Sequence, residues 1–194
     1  MQRPLKKQTS KRIVLKTIVI FLGSYFIFLI LWIQVKDYYG YTVTFITSEL
    51  MPLIKDVHFG EMTEERDVIQ VTFRTFSRPV KRQGNLLIDI KIKTSSYTFN
   101  APLTFGIMAA LFPFIRKRWK AYGEALFILF GVHLLYVFSL EANSLTTVFV
   151  ERGLDAASKP RLLAYEFLWE FTNNMVVRFV PFLIGFYIFI RFRK

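Results

Sequence analysis

Four apolar stretches, separated by alternately basic and near-neutral connections, constrain this chain more than any other feature. They cover residues 17–35, 101–115, 121–140 and 174–190. In hydrocarbon every backbone N–H and C=O must be satisfied within the chain, so each stretch is expected to form a helix. Residues 1–16 carry Arg3, Lys6, Lys7, Lys11, Arg12 and Lys16 and no acid. Residues 116–120 hold Arg116, Lys117, Arg118 and Lys120, and residues 191–194 hold Arg191, Arg193 and Lys194. With four crossings these clusters share one side, and the positive-inside rule makes that side cytoplasmic. The expected fold is therefore an α-helical integral membrane protein with four transmembrane helices, N-in and C-in. Residues 36–100 would form a small extracytoplasmic α+β domain, and residues 141–173 a second outer segment.

The net charge of +12 could point to nucleic acid, but half of the 26 basic residues sit in those three clusters. Residues 36–100 have nine Lys or Arg against eight Asp or Glu, which leaves no basic stripe for a phosphate backbone. The charge is expected to set topology and to hold anionic lipid headgroups, at about 1 kcal/mol per well-placed cation. Membrane lipids are thus expected partners and nucleic acid is not. A hydrophobic content of 53%, with 22 Phe, exceeds what a soluble domain of this length needs. The first apolar run is too long for a signal-peptide core, and no small-residue cleavage site follows it, so it is read as a retained anchor. Cys is absent, which removes disulfides, thiolate metal sites and a cysteine nucleophile.

Beyond the first span, Trp32, Tyr38, Tyr39 and Tyr41 read as an interfacial aromatic belt. Val43, Ile46, Leu50 and Leu53 or Ile54 recur at helical spacing and predict a helix lying along the outer interface, ended or kinked by Pro52. Gly60 and an acidic turn (Glu61, Glu64, Glu65, Asp67) follow. The period then changes to two over 68–75 and 87–93, predicting antiparallel strands joined across 77–85, with turn chemistry at Gln83-Gly84-Asn85. One apolar face, Ile69, Val71 and Phe73 with Ile88, Ile90 and Ile92, needs a cover. The amphipathic helix, a short strand near residues 57–59, or a partner protein could supply it.

Asn100 is expected to cap the second span and Pro102 to sit near its first position. Fifteen residues over 101–115 make only about 22 Å of helix against roughly 30 Å of hydrocarbon, so spans two and three could instead form a re-entrant hairpin. Residues 141–159 read as a loop. From Pro160, Leu162, Tyr165, Trp169, Thr172 and Val176 form one stripe, with Glu166, Glu170 and Asn173 on another face. One continuous helix running into the fourth span follows. The one-sided sheet face, with Tyr165 and Trp169, is the expected partner-binding surface.

The candidate intramembrane polar residues are Glu124, His133 and Arg178. His133 falls in the middle of span three, where a nearby carbonyl, Ser139 or Asn143 could satisfy it. Glu124 is expected to pair with Lys120 or Arg118, and Arg178 to snorkel or to pair with Glu170, Glu141 or another subunit. His58 has no second His beside it, so no metal site is expected, and no cofactor motif or nucleophile–base–acid set appears. No catalytic residue is assigned.

The assembled segments resemble the small membrane proteins associated with exosortase H. The similarity lies in the layout and in Ser48-Glu49-Leu50-Met51-Pro52-Leu53-Ile54, residues 67–75, Asn100-Ala101-Pro102-Leu103, and Tyr165-Glu166-Phe167 through Val180-Pro181-Phe182. The third span and the Phe-rich, basic composition depart from that pattern. The resemblance implies a protein of the bacterial inner membrane whose outer domain is periplasmic, beside a membrane transpeptidase that sorts proteins carrying a C-terminal anchor signal. Such enzymes look like Cys-nucleophile proteins, so this Cys-free chain would be a non-enzymatic accessory or scaffold subunit, with another integral membrane or envelope protein as its partner. Two alternatives remain from the residues: a lipid- or substrate-handling subunit, and a membrane-embedded enzyme using His133 with Glu124 or Arg178.

Overall fold

The computed structural model describes residues 5–75, 86–153 and 159–193, with side chains from residue 11 onward save that of Lys159. It is mostly helical, 78%, with one small antiparallel sheet. The elements are α1 (Leu5–Leu50), a 3₁₀ turn (Met51–Leu53), β1 (His58–Glu65), β2 (Val68–Thr75), β3 (Leu86–Lys93), α2 (Thr94–Thr98) and α3 (Asn100–Leu111). A second 3₁₀ turn (Phe112–Phe114), α4 (Arg118–Glu151), α5 (Lys159–Phe171), a π-helical segment (Thr172–Val176) and α6 (Val177–Phe192) complete the described order. The chain forms two compact units, one of residues 1–34, 99–129 and 179–194, the other of residues 35–98 and 130–178.

The first unit is built on close helix approach. An ideal Cβ on Gly106 of α3 would lie 3.2 Å from Tyr25 Cβ, and one on Gly185 of α6 would lie 2.6 Å from Ile107 Cγ2. Small residues at such points let backbones pack where lipid supplies no hydrophobic drive between helices. The Phe105 ring lies 5.2 Å from Phe28 and 6.2 Å from Trp32, fixing α3 against α1. Among the described residues three helices are long and apolar enough to cross a membrane, Lys11–Leu53, Arg118–Glu151 and Pro160–Phe192. The expected second span is shorter than its apolar stretch: α3 has 12 residues, about 18 Å, because the chain tightens into the 3₁₀ turn around Pro113. Asn100 is not a cap. It is buried inside the helical run that α2 begins, and its carbonyl accepts a 2.9 Å hydrogen bond from Thr104 Oγ1.

The second unit centres on the sheet, ordered β1-β2-β3. The two expected strands pair antiparallel, with Val71 opposite Ile90 and Phe73 opposite Ile88. The 77–85 connection lies outside the described residues. Where an acidic turn was expected, β1 runs the length of β2, with a bulge at Gly60 and a tight reversal at Arg66, whose φ is 56°. Gly60 is required there, since a Cβ would come within 2.8 Å of the Thr72 carbonyl oxygen.

The cover for the apolar face comes from the chain itself. Ile69, Val71, Phe73 and Ile92 are fully buried and Ile88 and Ile90 nearly so, in one cluster with Val43, Met51, Tyr97, Tyr136, Val137, Leu145 and Phe149. Those six residues are therefore core and do not form an open partner surface. The helix expected along the interface is instead the end of α1, unbroken from the first span, and the buried Gly40, Val43, Thr44, Thr47 and Ser48 face this core. Gly40 suits a close approach, as a Cβ there would fall 2.3 Å from Thr94 Cγ2. The α-helix stops at Leu50, and Pro52 sits in the 3₁₀ turn, as its missing N–H requires. The expected loop after residue 140 is helical to Glu151.

Replacing Ile90 with Asp is expected to destabilise the sheet unit by on the order of 3 kcal/mol or more, because an unpaired charge replaces a buried methyl-rich side chain. Leu87→Asp, on the opposite and exposed face, should leave the melting temperature in detergent nearly unchanged. Equal loss in both variants would contradict the assigned face.

Candidate functional site

Within the sheet unit, α1 and α4 meet through two buried polar pairs. Tyr39 Oη lies 2.6 Å from His133 Nδ1, and Ser48 Oγ donates to Glu141 Oε1 at 2.6 Å. In the neutral Nε2–H tautomer of the imidazole, the Tyr39 phenol is the donor. The two pairs are nine residues apart on α1 and eight on α4, so these segments run parallel over roughly 13 Å. His133 and Glu141 are both fully buried.

Aromatic rings close around the imidazole. Tyr39 and Tyr97 each place a ring centroid 5.5 Å from that of His133, edge-on. Tyr97 stacks on Tyr136 at 5.1 Å, and Tyr136 meets Trp169 at 5.1 Å. Burial pushes the Tyr97 phenol well above its ordinary range, and its hydroxyl donates to the Gly40 carbonyl at 3.4 Å. Trp169 and Tyr165 are half-buried against the same core, with Lys55 Nζ 4.7 Å above the Tyr165 ring. The stripe expected on α5 thus faces inward.

A third cluster joins the hairpin to the helices. Asp67 Oδ1 accepts from Lys36 Nζ at 2.7 Å and from the Ser95 backbone N–H at 3.2 Å, while Oδ2 accepts from the Ser95 hydroxyl. Partial burial alone would raise the carboxyl, but the Lys36 and Ser95 hydrogen bonds and the Lys36 charge outweigh it and hold Asp67 below the usual carboxylate range.

The structure does not gather the three polar residues singled out in the sequence. Glu124 belongs to the first unit, where Tyr187 Oη donates to it at 3.2 Å and Arg191 Nη2 pairs with it at 3.3 Å. Its partner is thus on α6, in place of the expected Lys120 or Arg118. Arg178 is exposed. His133 is held by Tyr39, and the Ser139 hydroxyl is committed to the Tyr136 carbonyl. The Tyr39–His133 and Ser48–Glu141 pairings and the Lys36–Asp67–Ser95 cluster were missed from sequence, because partners 28 to 94 residues apart leave no local period. Among the described residues no group of three metal-ligating side chains occurs, and His58 is exposed.

The profile of a family described as Exosortase H-associated membrane protein matches residues 7–192. The chain belongs to this family. No curated protein and no solved structure matches it. The family match covers both compact units, and membrane association agrees with the three long apolar helices.

The pH dependence of the Asp67 cluster follows from its sign. A carboxyl with a depressed folded-state pKa stabilises fully above its unfolded value near 3.9, and that contribution fades as pH falls through the folded value. Asp67→Asn should therefore cost about 1 kcal/mol at pH 7 and progressively less below about pH 4, read as melting temperature in detergent against pH. A deficit that stays constant with pH would show that the charge is not what Asp67 contributes.

Proposed function

We propose that this chain is a non-enzymatic accessory or scaffold subunit of a bacterial envelope complex, working beside an exosortase-type sorting enzyme in the inner membrane. The observation that carries this reading is the family match over residues 7–192, whose description names an associated protein of a membrane enzyme. The side-chain arrangement supports it: the buried His and Glu are each engaged by a hydroxyl group of α1, and Glu124 is engaged by α6. In the proposed topology both termini and the 116–120 turn are cytoplasmic, α3 returns the chain between two crossings of the same sense, and the sheet unit is periplasmic. The parallel course of α1 and α4 supports two crossings of one sense, and the three basic clusters support the orientation.

Reporters fused after residues 60 and 150 should read as external, and those after 118 and 194 as cytoplasmic; an external reading at 118 would remove the return through α3. Affinity purification of the full chain in mild detergent is expected to bring down the sorting enzyme of the same cell. Deleting residues 57–94 should abolish that capture. His133→Gln, Glu124→Gln and Arg178→Gln should each retain sorting, since a supporting hydrogen bond tolerates Gln whereas loss of a general acid–base typically costs about 10²- to 10⁴-fold in rate. A folded, assembled His133→Gln protein without sorting activity would reverse the reading in favour of an enzyme.

A further inference from the structure

The turn between α3 and α4 lines a half-open surface cavity of about 610 Å³ that plays no part in the accessory role. Its polar wall is three consecutive cations, Arg116, Lys117 and Arg118, and its apolar wall is Phe112, Ile115, Trp119 and Tyr122. None of its lining residues is acidic. Among the described residues none of the three cations enters an ion pair, and Glu124, nearly two turns into α4, is already engaged by Arg191. Among the described residues the cavity therefore presents three cations without an acidic partner against an apolar surface.

The turn is a built feature. Arg116 N–H donates to the Phe192 carbonyl at 2.7 Å, and Ile115, almost fully buried, bridges to Arg193, so the end of α6 anchors the turn. Lys117 takes a left-handed backbone, φ 46°, giving the sharp reversal that brings three successive cations to one cavity. The Arg118 guanidinium lies 4.0 Å over the Phe112 ring, whose other neighbour is Tyr122 at 6.3 Å. Trp119 is 89% exposed, a position an indole occupies at a membrane interface far more readily than in water.

We propose that this cavity binds the phosphodiester headgroup of one anionic phospholipid, with Arg116, Lys117 and Arg118 facing the phosphate and Trp119 and Phe112 facing the glycerol and the start of the acyl chains. Charge complementarity selects the anion, and the apolar wall selects a lipid over a free phosphate, which has nothing to place there. The inference requires no partner protein, so it stands or falls separately from the accessory role.

The test is native mass spectrometry of the purified full chain in detergent, supplied with equal phosphatidylglycerol and phosphatidylcholine of the same acyl composition. One phosphatidylglycerol per chain should be retained, with about tenfold or greater preference over phosphatidylcholine, as two or three well-placed cations would give. Arg116→Gln/Arg118→Gln should reduce that preference to near parity, and Lys117→Gln alone should lower it part of the way. Lys91→Gln/Lys93→Gln, which removes two cations from β3, should leave it intact. Glycerol phosphate and inorganic phosphate should fail to displace the lipid. Equal retention of the two lipids, a preference that survives the double substitution, or displacement by inorganic phosphate would each overturn the proposal.

Discussion

Hydrocarbon offers a polypeptide no hydrogen-bond partner, and the distribution of structure along this chain follows from that. Every described element of the first unit is helical, apart from the turn where Arg116 and Arg193 hydrogen-bond to the backbone at the end of α6. The sheet, whose edge strands carry unpaired backbone groups, is confined to the other unit. Within the first unit, shape replaces hydrophobicity as the source of specificity. Gly106 and Gly185 provide the close approaches, and Phe105 inserts beside Phe28 and Trp32.

Much of the second unit was legible because its periods are clean. The alternation over 68–75 and 87–93 gave strands whose inward residues are the buried ones, and the spacing of Leu162, Tyr165, Trp169 and Thr172 gave the inward stripe of α5. The start of β1 was among the covers expected near residues 57–59, but its run beyond Phe59 was hidden because Glu61, Glu64 and Glu65 lie on exposed positions and only Phe59 and Met62 turn toward the core. The extension of α4 was hidden for a different reason. Its Asn, Ser and Thr residues are those that favour turns, yet here Thr146 and Thr147 return their hydroxyls to the carbonyls of Ala142 and Asn143 and leave the helical ladder intact. The continuity of α1 could not be read from Gly40, whose tolerance depends on Thr94, far along the chain.

The candidate site was only partly visible. His133 stood out because it interrupts an apolar run, but its meaning depends on Tyr39, which read as a belt residue. Glu141 read as the start of a loop and as a possible partner of Arg178, and Ser48 stood only in a stretch of the family resemblance, with nothing local to link the two. A slip of one residue between α1 and α4 would part both pairs at once and leave buried polar groups without partners, at a cost of about 1–3 kcal/mol for each. These contacts thus select one register for two helices whose apolar neighbours would tolerate several.

The position of β1 at the rim of its sheet has a colloidal consequence. An open strand is a template for a second copy of itself, and membrane proteins are concentrated in two dimensions. Glu64 and Glu65 end that rim, so two molecules brought together in parallel along β1 would set their carboxylates side by side. Like charges so close oppose the pairing that the free backbone groups invite. High ionic strength screens this repulsion while leaving the hydrogen-bonding rim in place, making crowding at high salt the condition under which copies of this chain would begin to associate strand to strand.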